Sequence, residues 1–150
     1  MEKQSSKIEQ AIALMLAAHK GQTLKNGQPY VLHPMHLAEQ FENEVLKILC
    51  LLHDSVEDSH GKVTLIMIRE IFGDVIAEAT DALTHRDDEP YEDYIERIVK
   101  NALAIEVKIK DLEHNMDVRR MPLPGVPKKL SVYIAAWHRL KAVQAKQERI

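Results

Sequence analysis

A long apolar segment that ends directly in ionisable side chains constrains this chain more than any other feature. Residues 44–52 read EVLKILCLL, and residues 53–58 read HDSVED. The apolar segment predicts a buried helix at the centre of a helical bundle. Ionisable groups beside such a helix cost several kcal/mol to bury unless a counter-charge is present. A divalent cation is one such counter-charge, because imidazole and carboxylate groups are its natural ligands.

The rest of the chain also favours helices. Five glycines, six prolines and 5% aromatic residues in 150 positions are poor material for a β-sandwich, and no segment alternates convincingly between apolar and polar residues. We predict an all-α fold, a compact single domain over residues 1–150 with about seven or eight helices. The predicted helices run from Ser5 or Ser6 to His19, from Pro34 through Ala38, and over 44–54, 64–72, 74–83, 91–100, 102–116 and 128–147. Residues 55–63 are predicted to form a polar break, and residues 121–127, with three prolines, an irregular segment.

Composition and charge narrow the function classes. Cys50 is the only cysteine, which excludes disulfide scaffolds and zinc sites built on cysteines. The net charge is −3 and no basic run occurs, so nothing indicates a nucleic-acid surface, although a small anionic substrate needs only a local basic pocket. No signal peptide opens the chain and no apolar stretch is long enough for a bilayer, so we predict no membrane association and a cytoplasmic location.

The His53-Asp54 pair has a simpler explanation than metal binding. The dipole of a helix favours histidine at the C-terminus, and an exposed aspartate can follow it. That explanation is preferred for an isolated pair, but two other fragments change the balance. His33 stands at a predicted helix start, where its side chain can point into a cleft. Asp111 lies four residues before Asn115, so these two polar side chains share one face of a helix.

Four blocks of sequence carry a resemblance to a known family. They are HKGQ at 19–22, GQPYVLHP at 27–34, HDSVED at 53–58 and DLEHNM at 111–116. In order and spacing they resemble the hydrolase domain of the Rel/SpoT-type alarmone enzymes. They resemble still more closely the stand-alone small alarmone hydrolases.

The resemblance implies an HD-type helical fold with one divalent metal ion, usually Mn²⁺. It implies that the ligands of this ion are His33, His53, Asp54 and Asp111. It also implies that Glu57 and Asp58 position or activate the attacking water and assist at the phosphate.

The resemblance further indicates where a nucleotide would bind. Lys25 and Tyr30 belong to the segment that flanks the nucleobase, and Lys108 and Asn115 match residues of the nucleotide site. On charge alone, Lys25, Arg86 and Lys108 are candidates for neutralising the substrate phosphates.

The predicted residue types suit metal-assisted hydrolysis. Four protein ligands on an octahedral ion leave about two positions for a water molecule and a phosphate oxygen. The ion lowers the pKa of its water and polarises the phosphoryl group. Glu57 could accept the proton, because neighbouring acids raise the pKa of its carboxyl group.

Several other positions carry secondary expectations. His19 is predicted to support the site by hydrogen bonding, and His36 to lie on the surface of a helix. His114 is predicted to point away from Asp111. Leu24 stands where the family carries an arginine that packs on the guanine base.

Three hypotheses of function follow. The first is a phosphohydrolase that removes the 3′-pyrophosphate of guanosine alarmones. The second is an HD phosphohydrolase that acts on another nucleotide or phosphorylated metabolite with the same metal and water. The third is a catalytically silent, metal-binding regulatory domain, which would bind metal without turnover.

Overall fold

The computed structural model describes residues 4–121 and 129–148, and the regular elements within these ranges are helices. No β-strand occurs in these two ranges, and a single isolated antiparallel bridge pairs Thr23 with Pro29. The helices are α1 (Lys7–Ala18), α2 (Leu32–Glu39), α3 (Glu44–Leu52), α4 (Ser55–Asp58), α5 (Leu65–Phe72), α6 (Asp74–Leu83), α7 (Tyr91–Val99), α8 (Ala102–Asn115) and α9 (Leu130–Glu148), with a 3₁₀ turn at Val118–Arg120. The predicted all-α class is confirmed.

The structure differs from the predicted helices at one segment. The stretch 55–63, predicted as a polar break, begins with the one-turn helix α4. The backbone N–H of Asp58 donates to the carbonyl of Asp54 at 3.0 Å, so the chain resumes helical geometry directly after α3 ends. Of the segment 121–127, predicted as irregular, Met121 is extended and the remainder lies outside the described residues.

Polar side chains fix where the helices begin. Ser6 and Glu9 form a reciprocal capping box at the start of α1. Asn43, Thr64 and Asn101 accept a hydrogen bond from the first turn of α3, α5 and α8. Such caps contribute about 1 kcal/mol each. The caps fix the residues at which α3 and α8 begin. Residues on or directly after these two helices form part of the site described below.

Helix α3 lies at the centre of the bundle, as its apolar sequence predicts. It packs against α1, α2, α6 and α8, and Leu49, Cys50 and Leu52 have no exposed surface. Burial raises the pKa of the Cys50 thiol to about 12, so this cysteine is a neutral core residue. Among the described helices, none combines the length and hydropathy needed to cross a bilayer. Because α3 is buried in the core, residues 53–58, which directly follow it, begin at the core and lead into the site described below.

Candidate metal centre and active site

The structure brings the four predicted metal ligands together from three helices. His33 lies on α2, His53 and Asp54 follow α3, and Asp111 lies on α8. Ligand atoms of His33, His53 and Asp54 all lie within 4.8 Å of one another. The Asp111 Oδ1 atom is 2.8 Å from His33 Nε2 and 3.4 Å from His53 Nε2. Residues that are 78 positions apart in sequence thus converge on one point.

One ring nitrogen shows that the cluster fits a cation. His53 Nδ1 donates to the carbonyl of Cys50 at 2.7 Å, which leaves Nε2 without a proton in that tautomer. His53 Nε2 is buried, has no hydrogen-bond partner and lies 3.2 Å from Asp54 Oδ2. A buried polar atom without a partner is costly unless something else binds it. Two imidazoles and two carboxylates around such an atom form a donor set suited to a divalent metal ion.

The electrostatics of the cluster also favour a positive charge at its centre. Burial alone would lower the pKa of His53, but Asp54 and Asp111 reverse this effect and raise the pKa well above its usual value. Burial likewise opposes ionisation of the two carboxyl groups, yet His53 lowers the pKa of Asp54 to about 2. Lys108 is the main cause of the lowered pKa of Asp111. Both carboxyl groups are therefore ionised at neutral pH, ready to accept a cation.

Asp111 is oriented by two polar side chains of its own helix. Lys108 Nζ lies 2.8 Å from Asp111 Oδ2, and Asn115 Nδ2 donates to Asp111 Oδ1 at 3.2 Å. The buried lysine is also enclosed by aromatic rings, at 5.2 Å from the centroid of Tyr94 and 6.0 Å from that of Tyr91. Because Oδ2 of Asp111 pairs with the lysine, the other carboxylate oxygen, Oδ1, faces the two histidines.

His114 lies in the site, so the prediction that it points away is wrong. Its Nδ1 atom is 2.7 Å from Nδ1 of His33, and its ring stacks on that of His36 with centroids 4.0 Å apart. Residues three apart on a helix share a face, which places His114 on the same side of α8 as Asp111. The three-residue spacing between Asp111 and His114 was the sequence signal that could have predicted this position. Burial and Arg120 lower the pKa of His114 to about 3, so its ring is neutral.

The two predicted catalytic acids stand beside the ligands. Carboxylate oxygens of Asp54, Glu57 and Asp58 all lie within 4.8 Å of one another. Burial, followed by the charge of Asp54, raises the pKa of Glu57 to about 7 and also raises that of Asp58. Glu57 Oε1 accepts a 2.7 Å hydrogen bond from the backbone N–H of His85. The short helix α4 thus holds the acids at the rim of the cluster.

The backbone donor at His85 belongs to a loop that an arginine anchors. Arg97 on α7 donates to the carbonyl of Thr84 at 2.8 Å and to both carboxylate oxygens of Glu89 at 2.6 and 2.8 Å. His85 Nε2 in turn donates to the carbonyl of Glu89 at 2.7 Å. Sequence reasoning missed Arg97, because no local pattern connects it with a loop that precedes its helix.

The predicted substrate residues are distributed between the cluster and the surface. The hydroxyl group of Tyr30 donates to Asp54, and its ring lies 4.6 Å from that of His19. Lys25 is exposed in the loop between α1 and α2. Arg86 is also exposed and donates to both oxygens of Asp81 at 3.1 and 3.2 Å. Lys108 and Asn115 contact Asp111, as described above.

A cleft lies between α1 and the loop that follows it. It has a volume of about 600 Å³, and its lining includes His19, Thr23, Pro29 and Val31. His19 is buried there, and its Nδ1 donates to Oε1 of the Gln22 side chain at 2.9 Å. The loop between α1 and α2 therefore forms one wall of this open space.

Comparison with known proteins gives consistent relationships. Over 167 aligned residues, 98% of this chain, the sequence is 28% identical to the bifunctional (p)ppGpp synthase/hydrolase SpoT of Escherichia coli K12. Over 126 residues, 75% of this chain, it is 31% identical to a GTP pyrophosphokinase of Streptomyces coelicolor. The chain is a relative of the Rel/SpoT-type proteins. The resemblance seen in the four sequence blocks is thus confirmed.

The relationship covers a limited part of the larger proteins. The chain spans 24% of the length of SpoT and 15% of the Streptomyces protein. No protein-family model matches the chain. A solved structure described as "A metazoan ortholog of SpoT hydrolyzes ppGpp and plays a role in starvation responses" superimposes with a TM-score of 0.71 at 18% identity, covering 95% of this chain and 88% of that one. This similarity confirms the HD-type helical fold.

Proposed function

We propose that the chain is a metal-dependent phosphohydrolase that removes the 3′-pyrophosphate of guanosine alarmones such as ppGpp and pppGpp. The observation that carries the proposal is the buried, unpartnered Nε2 of His53 between two carboxylates, next to a second pair of acids. The relatives named as guanosine-3′,5′-bis(diphosphate) 3′-pyrophosphohydrolases support the choice of substrate.

The proposed metal ligands are the four residues that converge. His33 and His53 would bind through Nε2, and Asp54 and Asp111 through carboxylate oxygens. Manganese is the proposed ion because the resemblance to the alarmone hydrolases implies it, and the mixed set of imidazole and carboxylate ligands is compatible with it. When bound, such an ion polarises a phosphoryl oxygen and lowers the pKa of a water molecule.

Glu57 is the proposed general base. Its Oε1 atom is held by the N–H of His85 at 2.7 Å, which orients the carboxylate beside Asp54. The oxygen of water forms a bond to the phosphorus that carries the 3′ oxygen, and its proton passes to Glu57. The bond between that phosphorus and the 3′ oxygen then breaks, the 3′ oxygen takes up a proton, and pyrophosphate is released. Asp58, on the same turn of helix, assists at the phosphate.

The substrate-binding residues stay predictions of the same proposal. Lys25 and Arg86 are exposed and would reach the phosphates, for which Arg86 must exchange its bonds to Asp81. The other predicted substrate residues donate hydrogen bonds to carboxylates of the proposed metal ligands: Tyr30 to Asp54, and Lys108 and Asn115 to Asp111. Any contact that they make with substrate is therefore made directly beside these ligands.

The test is release of pyrophosphate from guanosine tetraphosphate by the Mn²⁺-loaded protein, with Asp54→Ala as the control. We expect metal-dependent release that the variant lacks. Release from other phosphorylated metabolites but not from the alarmone would favour the broader phosphohydrolase. A protein that binds Mn²⁺ and hydrolyses none of these compounds would be the silent regulatory domain. The departure at Leu24 is the specific reason to include adenine nucleotides among the substrates.

A further inference from the structure

The two histidines proposed as metal ligands are held by different partners. The Nδ1 atom of His53 donates to a main-chain carbonyl, that of Cys50, at 2.7 Å. The Nδ1 atom of His33 instead meets Nδ1 of another histidine, His114, at 2.7 Å. A carbonyl can only accept, so the tautomer of His53 is fixed by the backbone. The tautomer of His33 depends on a side chain.

The geometry of the two rings is that of an in-plane hydrogen bond. The ring planes of His33 and His114 differ by 4°, and their centroids are 4.9 Å apart. With 2.7 Å between the nitrogens, the remaining distance corresponds to two ring radii, so the rings meet edge to edge. Two imidazole nitrogens at this separation share one proton, and therefore one ring donates while the other accepts.

The direction of this hydrogen bond follows from the opposite edge of His33. Its Nε2 atom faces the ligand cluster, 2.8 Å from Asp111 Oδ1. A ring that binds metal through Nε2 carries its proton on Nδ1. His33 is then the donor, and His114 accepts at Nδ1 and carries its own proton on Nε2.

We propose that His114 is a positioning residue that fixes the tautomer and ring orientation of His33 for metal binding, an inference that rests on the proposed metal centre. Ligand histidines are usually held by a carboxylate, a carbonyl or a water molecule, and loss of that partner typically weakens metal affinity about 10- to 100-fold. Here a neutral imidazole has that function. The exposed ring of His36 packs on the other side of His114, with centroids 4.0 Å apart, and contributes packing without a hydrogen bond to His33.

The tautomers can be read directly in the wild-type protein. Zn²⁺ is a diamagnetic probe, and two-bond ¹H–¹⁵N correlation spectra of the Zn²⁺-loaded chain distinguish the two tautomers of each ring. We expect His33 to be protonated at Nδ1 and His114 at Nε2. A Zn²⁺-loaded protein in which His33 is protonated at Nδ1 and His114 also carries its proton on Nδ1 would overturn the inference while leaving the metal centre intact, because His114 could then not accept from His33. A wild-type chain that binds neither Zn²⁺ nor Mn²⁺ would overturn the metal centre and the inference together.

Two substitutions and a matched control test the consequence for affinity. His114→Leu removes the acceptor, whereas His114→Asn keeps a carbonyl oxygen close to the position of Nδ1. His36→Leu removes the neighbouring ring of the stack and leaves the acceptor in place. In competition with a chelator, we expect Zn²⁺ affinity to fall about 10- to 100-fold for His114→Leu and to stay near wild type for the other two. Equal affinity of the wild type and a folded His114→Leu protein would overturn the proposal, as would an equal loss in His36→Leu.

Discussion

The ligand cluster and the loops around it are built by different means. His33, His53 and Asp111 are 2–4% exposed, and each lies on or beside a helix that packs in the core. Lys25 and Arg86 are exposed, and they lie on loops outside the packed helices. The proposed metal chemistry is thus part of the folded core, whereas the proposed phosphate contacts of Lys25 and Arg86 are part of the surface. We therefore expect substitutions in the loops to alter specificity without disturbing the proposed metal centre.

The largest effect is expected where the core supplies the chemistry. Asp54→Asn removes a proposed metal ligand with little change in volume. We expect Mn²⁺ binding to be lost and pyrophosphate release to fall by at least about 100-fold, since even outer partners of metal ligands contribute 10- to 100-fold. The matched control is Asp87→Asn, the same change in the exposed loop, with wild-type activity expected. A fully active Asp54→Asn protein would show that the cluster is not the metal centre.

The next substitution tests whether Glu57, at the rim of the cluster, acts as a general base or as a metal ligand. Glu57→Gln keeps the acceptor for the His85 N–H but cannot take up a proton. We expect turnover to fall about 100-fold, the usual range for a general base, with Mn²⁺ affinity unchanged. Mn²⁺ affinity by titration calorimetry and turnover are measured on the same preparation. An equal loss of affinity would make Glu57 a metal ligand.

An intermediate effect is expected from the arginine that connects core and loop. Arg97 and Glu89 are 23% and 13% exposed, and Arg97→Ala breaks several charged hydrogen bonds at once. We expect the free energy of unfolding to fall by about 1.5–3 kcal/mol and KM to rise as the loop loosens. Arg139→Ala removes a similar but solvent-exposed pair with Glu96, for which we expect a much smaller loss. Similar losses in the two variants would contradict a special role for Arg97 in holding the loop.

The same ion pair predicts a dependence of stability on pH. Hydrogen bonds from Arg97 lower the pKa of Glu89 to about 2, below the value of about 4.3 for an unfolded chain. The contribution of the pair is therefore complete above about pH 5 and is lost as the pH falls from about 4.3 towards 2. Urea unfolding at a series of pH values should show the wild type and Arg97→Ala converging in acid. A constant difference between them would contradict the assignment.

The smallest effect is expected on the loop that faces the cleft. Leu24 is half-buried, and its backbone hydrogen-bonds to Gly27 and Gln28. Leu24→Arg adds a planar cation that can stack on a base, an interaction of about 0.5–1 kcal/mol at exposed sites. We expect the preference for guanine over adenine substrates to rise about two- to fivefold in kcat/KM. Leu24→Lys adds charge without a plane, and an equal gain with lysine would exclude stacking as the cause.

The sequence predicted those features that depend on local pattern and block order. The apolar segment 44–52 predicted the central helix, and its abrupt end predicted the position of His53 and Asp54. His33 and Asp111 could be assigned from the resemblance of their surrounding blocks. The structure brings all four together, although their role as ligands stays a prediction.

The features that escaped prediction depend on contacts between distant elements. The bond between His114 and His33 joins α8 to α2, and nothing near either residue specifies the partner. Lys108 could be assigned to substrate on charge alone, and its spacing from Asp111 on α8 already permits their ion pair, but only the packing of α7 against α8 shows the aromatic ring beside the ammonium group. Arg97 reaches back to a preceding loop, which helical periodicity cannot reveal. Tertiary contacts therefore determine which of several possible partners each of these side chains binds.

The most direct measurement is anomalous scattering from crystals of the Mn²⁺-loaded protein. We expect one anomalous peak within coordination distance of His33 Nε2, His53 Nε2 and carboxylate oxygens of Asp54 and Asp111. We also expect the peak to disappear in crystals of Asp54→Asn grown under the same conditions. Saturating Mn²⁺ with no peak among these four residues, or with a peak held by other side chains, would contradict the proposed metal centre.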